Sequence, residues 1–137
     1  MAAVLFPSEA WLRILEQKLN SDEHYAAVAA KWEGDIFFDI QTDNRLAAPV
    51  GMYLDLWHGK CTGVAYGTLV DGKRSPRFIL ASSYANFAAI LLGQLNAMTA
   101  MLTNRLRVTG DLSYMMRNVP TVLDFVRCAQ EITTDVL

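Results

Sequence analysis

The sequence predicts an α+β domain in which a five-stranded, mostly antiparallel sheet is covered on one face by helices. Three observations predict it. Apolar residues recur at helical spacing near both ends of the chain. Between residues 35 and 82 the period drops to two, the alternation of strands. The strand-like runs also follow one another across short glycine-bearing turns, which favours antiparallel neighbours.

Pro7-Ser8-Glu9 opens the first helix, with Ser8 as cap and Glu9 at the positive end of the helix dipole. Trp11, Leu12, Leu15 and Leu19 form its apolar face. Asn20-Ser21-Asp22-Glu23 breaks and restarts the helix, with Asn20 or Ser21 as the second cap, and Tyr25, Val28 and Trp32 are the expected buried positions. Ile36, Phe38 and Ile40 then alternate with Asp35, Phe37 and Asp39, one set facing the core and the other water. Beyond a loop from Thr42 to Pro49, Met52, Leu54 and Leu56 alternate with Tyr53, Asp55 and Trp57. Gly59 turns the chain into a third strand, CTGVAYGTLV (61–70), weakened by two interior glycines. Asp71-Gly72 marks the next turn, and RFILAS (77–82) is the fourth strand.

Helical spacing returns at Ser83. Phe87, Ile90, Leu91 and Gln94 share a face, Gly93 closes the helix, and Asn96 caps a short one bearing Met98, Met101 and Leu102. RLRV (105–108) is a brief fifth strand with Leu106 and Val108 inward and Arg105 and Arg107 outward. Gly110-Asp111 leads into a short helix with Leu112, Met115 and Met116. Pro120 suits the first position of a last helix that buries Val122, Phe125, Val126, Ala129, Ile132 and Val136. No linker or repeat divides residues 1–137, so one domain is expected.

With 53% hydrophobic and 19% charged residues, the chain holds more apolar material than an ordinary soluble domain needs. Either the core is large or apolar surface serves a ligand, a partner or a membrane. The net charge of −2 and the lack of a basic run exclude the electrostatic footprint of a nucleic-acid binder. Cys61 and Cys128 form no C-x-x-C, which fits a reducing, cytoplasmic compartment. The start, MAAVLFPSEAW, has no positive region of the signal-peptide kind, and the final DVL is neither a peroxisomal address nor a prenylation box. Residues 78–104 carry no charge and are long enough to cross a bilayer. Ser82, Ser83, Asn86, Gln94, Asn96, Thr99 and Thr103 would each be costly in hydrocarbon, so a buried helical hairpin fits better.

No metal, nucleotide or hydrolase motif occurs, so no cofactor and no metal is expected. His58 and Cys61 flank a turn, but a nucleophile would also need an orienting group that the pattern does not supply, and no enzyme is expected. Asp35, Asp39 and Asp55 read as a solvent face, and His24 as a surface group. The methionines are the remaining signal. Four of the six fall between residues 95 and 116. Methionine fills irregular gaps in plain cores and also lines surfaces that must adapt to varied apolar partners, and composition leaves both open.

RFILASSYANFAAILLGQLNAMTAMLTNRLRVTGDL resembles the hallmark region of the sterol carrier protein type two lipid-binding family. There a strand, a helix, a small-residue turn and a second helix lead to a Gly-Lys-Leu-Lys-Val-x-Gly-Asp segment. The matching run here is Asn104-Arg105-Leu106-Arg107-Val108-Thr109-Gly110-Asp111, with Asn104 at a position that tolerates positive φ. The opening FPSEAW and the Trp-Glu-Gly before the first strand are similar to stand-alone microbial members. The resemblance implies an SCP-2-like lipid-binding fold with an apolar tunnel between sheet and helices. It implies carriage without catalysis of a fatty acid, acyl-CoA, phospholipid or sterol-like lipid, with transient membrane contact. Carried onto this chain, Phe38, Ile40, Met52 and Leu54 form the floor. Phe87, Leu91, Leu95, Met98, Met101 and Leu102 form a wall. Met115, Met116, Val122, Phe125 and Val126 form the lid. The alternative is a homo-oligomerisation or scaffold domain, a homodimer for instance, that covers Phe37, Tyr53, Trp57 and Tyr66 on the outer sheet face.

Overall fold

The structure, a computed structural model, describes residues 5–67 and 76–137. The end of the third predicted strand and the Asp71-Gly72 turn lie outside the described residues. Strand β1 (Leu5–Phe6) leads into helices α1 (Glu9–Ser21) and α2 (Glu23–Val28), followed by strands β2 (Ile36–Gln41), β3 (Val50–Trp57), β4 (Lys60–Tyr66) and β5 (Phe78–Ser83). Helices α3 (Tyr84–Leu91) and α4 (Ala97–Leu102), strand β6 (Arg107–Gly110), helices α5 (Leu112–Arg117) and α6 (Val119–Ile132) and strand β7 (Asp135–Val136) complete the chain.

Local chemistry sets the boundaries. The Ser8 hydroxyl accepts from the Trp11 amide at 3.1 Å, and the Asn96 side chain accepts from the Met98 and Thr99 amides, so both expected caps are in place. The second cap differs. Asp22, rather than Asn20 or Ser21, accepts from the Tyr25 amide and opens α2. Asn20 instead makes a two-way bond with the backbone of Cys61, tying α1 to β4. Helix α2 stops at Val28, which leaves Trp32 buried in the following turn. His58 and Gly59, both at positive φ, close the two-residue β3–β4 hairpin. Gly93 (φ 76) ends α3 and Asn104 (φ 61) takes the left-handed conformation expected of it.

The main sheet runs β4-β3-β2-β5-β6. Only β2 and β5 are parallel; the other three pairings are antiparallel. The parallel pair arises because β5 lies beside β2 rather than beside β4, the strand before it in the chain. Strands β1 and β7 form a separate parallel pair that clips the two ends of the described chain together, and nothing in the sequence pattern announced these two-residue strands. The fifth strand is shifted to residues 107–110, so Arg105 precedes it, while Leu106 stays buried.

The sheet's inner face meets the helices in one core built around Leu12, Leu54, Phe78, Tyr84 and Met115. The outer face is drier than alternation predicts at one point. Phe37 is 7% exposed, its ring lying over Gly51, where a Cβ would collide with it. Among the described residues no helix is long and apolar enough to cross a membrane. The charge-free stretch is divided among β5, α3 and α4 instead.

Candidate functional site

Between the inner sheet face and the helices lies an apolar cavity of about 90 Å³. The strand register builds its floor. Met52, Phe38 and Leu80 lie side by side across β3, β2 and β5, and all three reach the cavity together with Ile40. Phe87 and Leu91 of α3, with Met101 of α4, form one wall. Met115 of α5, with Val122, Phe125 and Val126 of α6, closes it opposite the floor. Three aromatic rings join floor to wall and lid. Phe38 stacks on Phe125 at 5.8 Å and meets Phe87 edge-on at 6.0 Å.

The polar atoms on the lining residues are turned away or paired. The Thr121 hydroxyl donates to the Val28 carbonyl, the Trp11 indole to Thr133, and the Trp32 indole to the Gly34 carbonyl. Burial pushes the Tyr25 hydroxyl well above its ordinary pKa and keeps it neutral. A cavity of this kind offers apolar contact and no anchoring charge, which suits a hydrocarbon.

Ten of the fifteen sequence-derived residues line the cavity, and five do not. Leu54 is fully enclosed in the core, and Leu95 and Met98 are half-buried outside the cavity. Leu102 is 72% exposed and Met116 38%. The reason in α4 is spacing. Ala97, Ala100 and Met101 make the inward i, i+3, i+4 face, the alanines letting the helix sit close, and Met98 and Leu102 turn outward. In α5, Met116 lies about 100° around the helix from the buried Met115. The cavity also draws on residues that the sequence marked only as core, including Trp11, Leu15 and Tyr25, and on Phe6. Their signal was the same helical spacing as any buried side chain, so nothing set them apart.

Helix α6 keeps the expected face toward the cavity and buries a second face beside it. Thr121, Asp124, Cys128 and Ala129 are its buried positions, whereas Val122, Phe125 and Val126 are half-buried around the cavity, and Val136 belongs to β7. The buried Asp124 carboxylate accepts two bonds from Arg127 and lies 2.8 Å from His24 Nδ1, so His24 is paired rather than merely solvated. Arg127 also bonds Asp22 and Glu131, and Lys18 bridges Asp22 and Glu131, fastening α6 to the α1–α2 corner. The Arg127 guanidinium holds the Asp22 carboxyl well below the usual range and lowers that of Asp124. Donor atoms of Asp22, Asp124 and Cys128 lie within 4.8 Å of one another, but Arg127 already supplies the positive charge there. A cation would have to displace it.

His58 and Cys61 are not brought together as base and nucleophile. His58 Nε2 pairs with Glu33 at 2.6 Å and the ring stacks on Trp57, while the Cys61 thiol contacts the Gly63 carbonyl. Burial pushes that thiol up to about 12, far from a thiolate at neutral pH. Asp35 accepts from the Tyr53 hydroxyl and the Arg77 amide, so it ties the start of the central strand β2 to its two neighbours rather than facing water freely.

A model of the SCP-2 sterol transfer family matches residues 12–122. The chain belongs to that family. This SCP-2 chain is similar to a crystal structure of sterol carrier protein 2, with 26% identity and a TM-score of 0.82 over 92% of this chain and 98% of the other. It is similar to a conserved hypothetical protein from Thermus thermophilus, with 27% identity and a TM-score of 0.81 over 93% and 89% of the two chains. Palmitated SCP2L2 from Aedes aegypti, 17% identical, shares the fold at a TM-score of 0.53 over 93% and 95%. No curated protein matches the chain. The family is one of lipid carriers, and the mixed α+β architecture with a five-stranded, mostly antiparallel sheet is the one its structures share.

Proposed function

We propose that this protein binds and carries one single-chain lipid, such as a fatty acid, in the cavity between sheet and helices, without catalysis. The observation that carries the reading is an interior cavity whose exposed lining is apolar, with the Thr121 hydroxyl and the Trp11 and Trp32 indoles already paired. At about 90 Å³ the resting cavity is smaller than the ~150 Å³ that holds a benzene. A chain therefore enters by spreading the walls. The half-buried lining residues Phe38, Leu91, Met101, Val122, Phe125 and Val126 are where the walls part, and the unbranched Met101 side chain re-packs at low cost. Each methylene buried contributes about 0.8 kcal/mol, which is the driving force. Two free, buried cysteines suit work in the reducing cytoplasm.

The test is displacement of a fluorescent fatty acid by palmitate in solution. Met101→Asp and Phe125→Asp place a charge in the cavity wall and are expected to abolish binding while the far-ultraviolet circular dichroism stays native. Normal binding by both variants would put the ligand elsewhere. Self-association is the second reading, favoured by Trp57 (50% exposed) and Tyr66 (37%). Phe37 and Tyr53 are withdrawn from that surface by burial and by Asp35, and a concentration-independent monomer in sedimentation would count against it.

A further inference from the structure

Three helices of equal length line the cavity, and they are not held alike. Helices α2, α4 and α5 are six residues each and contribute Tyr25, Met101 and Met115. Helix α2 is tied across space to α6. His24 pairs with Asp124, the Thr121 hydroxyl donates to the Val28 carbonyl, and Arg127 bonds the Asp22 cap. Helix α5 is tied to the segment before β2 and to the start of β5. The Tyr114 hydroxyl accepts from the Glu33 amide at 3.0 Å, and the Arg77 guanidinium lies 4.0 Å over the Tyr114 ring. Helix α4 has no such tie. Among the described residues, every hydrogen bond of residues 97–102 stays within residues 96–106, from the Asn96 cap to the Ala100 carbonyl that accepts from the Arg105 and Leu106 amides.

Packing holds α4 as lightly. Its buried residues are Ala97 and Ala100, one methyl each, while Met98 and Met101 are half-buried and Leu102 points outward. Helix α2 buries all of Tyr25, and α5 all of Met115. Two left-handed positions bracket α4, Gly93 at φ 76 and Asn104 at φ 61, and a Cβ at Gly93 would meet nothing within 4 Å. A helix with little buried apolar surface and no long-range polar bond opens at low free energy. Helix α6, across the seam from α4, is the opposite. Lys18–Glu131 and Asp22–Arg127 pin it to the α1–α2 corner, and Gln130 donates to the Ile90 carbonyl of α3.

We propose that α4 is the gate of the cavity, swinging away from α6 about Gly93 and Asn104 to admit and release the lipid while α6 stays fixed. The inference rests on the carrier reading and names the wall that moves. Met101 travels with the gate, so the flexible lining residue belongs to the one helix that no distant bond restrains.

Backbone hydrogen exchange of the lipid-free wild-type chain tests the gate without any ligand. The Ala100 and Thr103 amides, which close the turns of α4, are expected to exchange at least about tenfold faster than the Ala26 and Ala29 amides of α2 and the Met115 amide of α5. Equal helix length removes end fraying as the cause, and equal protection in the three helices would overturn the proposal. Stopped-flow uptake of a fluorescent fatty acid gives the second readout. Gly93→Ala puts an L side chain at φ 76 and strains the closed gate, so uptake and release are both expected to quicken about fivefold with Kd unchanged. Arg127→Met loosens α6 on its pinned side and lies outside the cavity lining, so its uptake rate is expected to stay within about twofold of wild type. Faster uptake in Arg127→Met than in Gly93→Ala would make α6 the moving wall and overturn the proposal. So would a wild-type uptake rate in Gly93→Ala. Absence of uptake by wild type would refute the carrier reading separately, and the exchange rates would still decide whether α4 opens.

Discussion

Ala129 is the position where cavity occupancy and protein stability can be separated. It lies on α6, is 3% exposed, and its methyl faces the 90 Å³ void. Ala129→Leu adds three carbon atoms to that void. Burying them gains up to about 2.4 kcal/mol at about 0.8 per carbon. Crowding the surrounding rings costs about 1–3 kcal/mol. The two nearly cancel, so stability in urea is expected to stay within about 1 kcal/mol of wild type. Ligand binding has no such compensation. A bound chain loses room for about three methylenes, or about 2.4 kcal/mol, and its Kd rises about 60-fold. Displacement titration with palmitate reads the affinity, and urea unfolding reads the stability. An unchanged Kd beside unchanged stability would refute the assignment of this cavity as the lipid site.

Three further outcomes follow from the same contacts. Arg127→Met strands the buried Asp124 and the Asp22 cap, and is expected to cost about 2–3 kcal/mol, less than a fully buried pair because Arg127 is one-third exposed, read as a lower urea midpoint. Because the Asp22 and Asp124 carboxyls are held below their ordinary value of 3.8 in the folded state, their contribution is fully present above that pH and is lost as pH falls below it. Acid titration of stability should therefore fall steeply in wild type and more gently in Arg127→Met. Gly59→Ala, which meets the Ala26 carbonyl at 2.7 Å and needs a φ of +81, is expected to destabilise by about 2 kcal/mol in the same urea assay.

Much of this architecture was legible because local chemistry and tertiary packing agree. Ser8, Asn96 and Gly93 mark helix ends by side-chain reach or permitted φ, and the core faces of β2 and β3 follow from strict alternation. Legibility failed where several residues compete for one role. Asn20, Ser21 and Asp22 can all cap a helix, but Asn20 is held by the Cys61 backbone, 41 residues away, and α1 runs on through Ser21. Asp22 is left to cap α2, while Arg127, 105 residues away, pairs with it. The cavity-facing stripe of helix α6 was legible, but its second buried face was not, because a buried Asp and Thr break hydrophobic spacing while ion pairs and a backbone carbonyl satisfy them. In α4, small residues mark the close-packed side, yet Leu102 outranks them in hydrophobicity and draws the eye to the wrong face. The methionine clusters split for the same reason. Met101 and Met115 reach the cavity, while Met98 and Met116 lie outside it.

The most direct test of the central claim is native mass spectrometry of protein purified without detergent, before and after incubation with palmitate. The account predicts one lipid per chain, either co-purified or taken up, and its loss in Phe125→Asp. A chain that is bare at the start and remains bare with excess palmitate would contradict it.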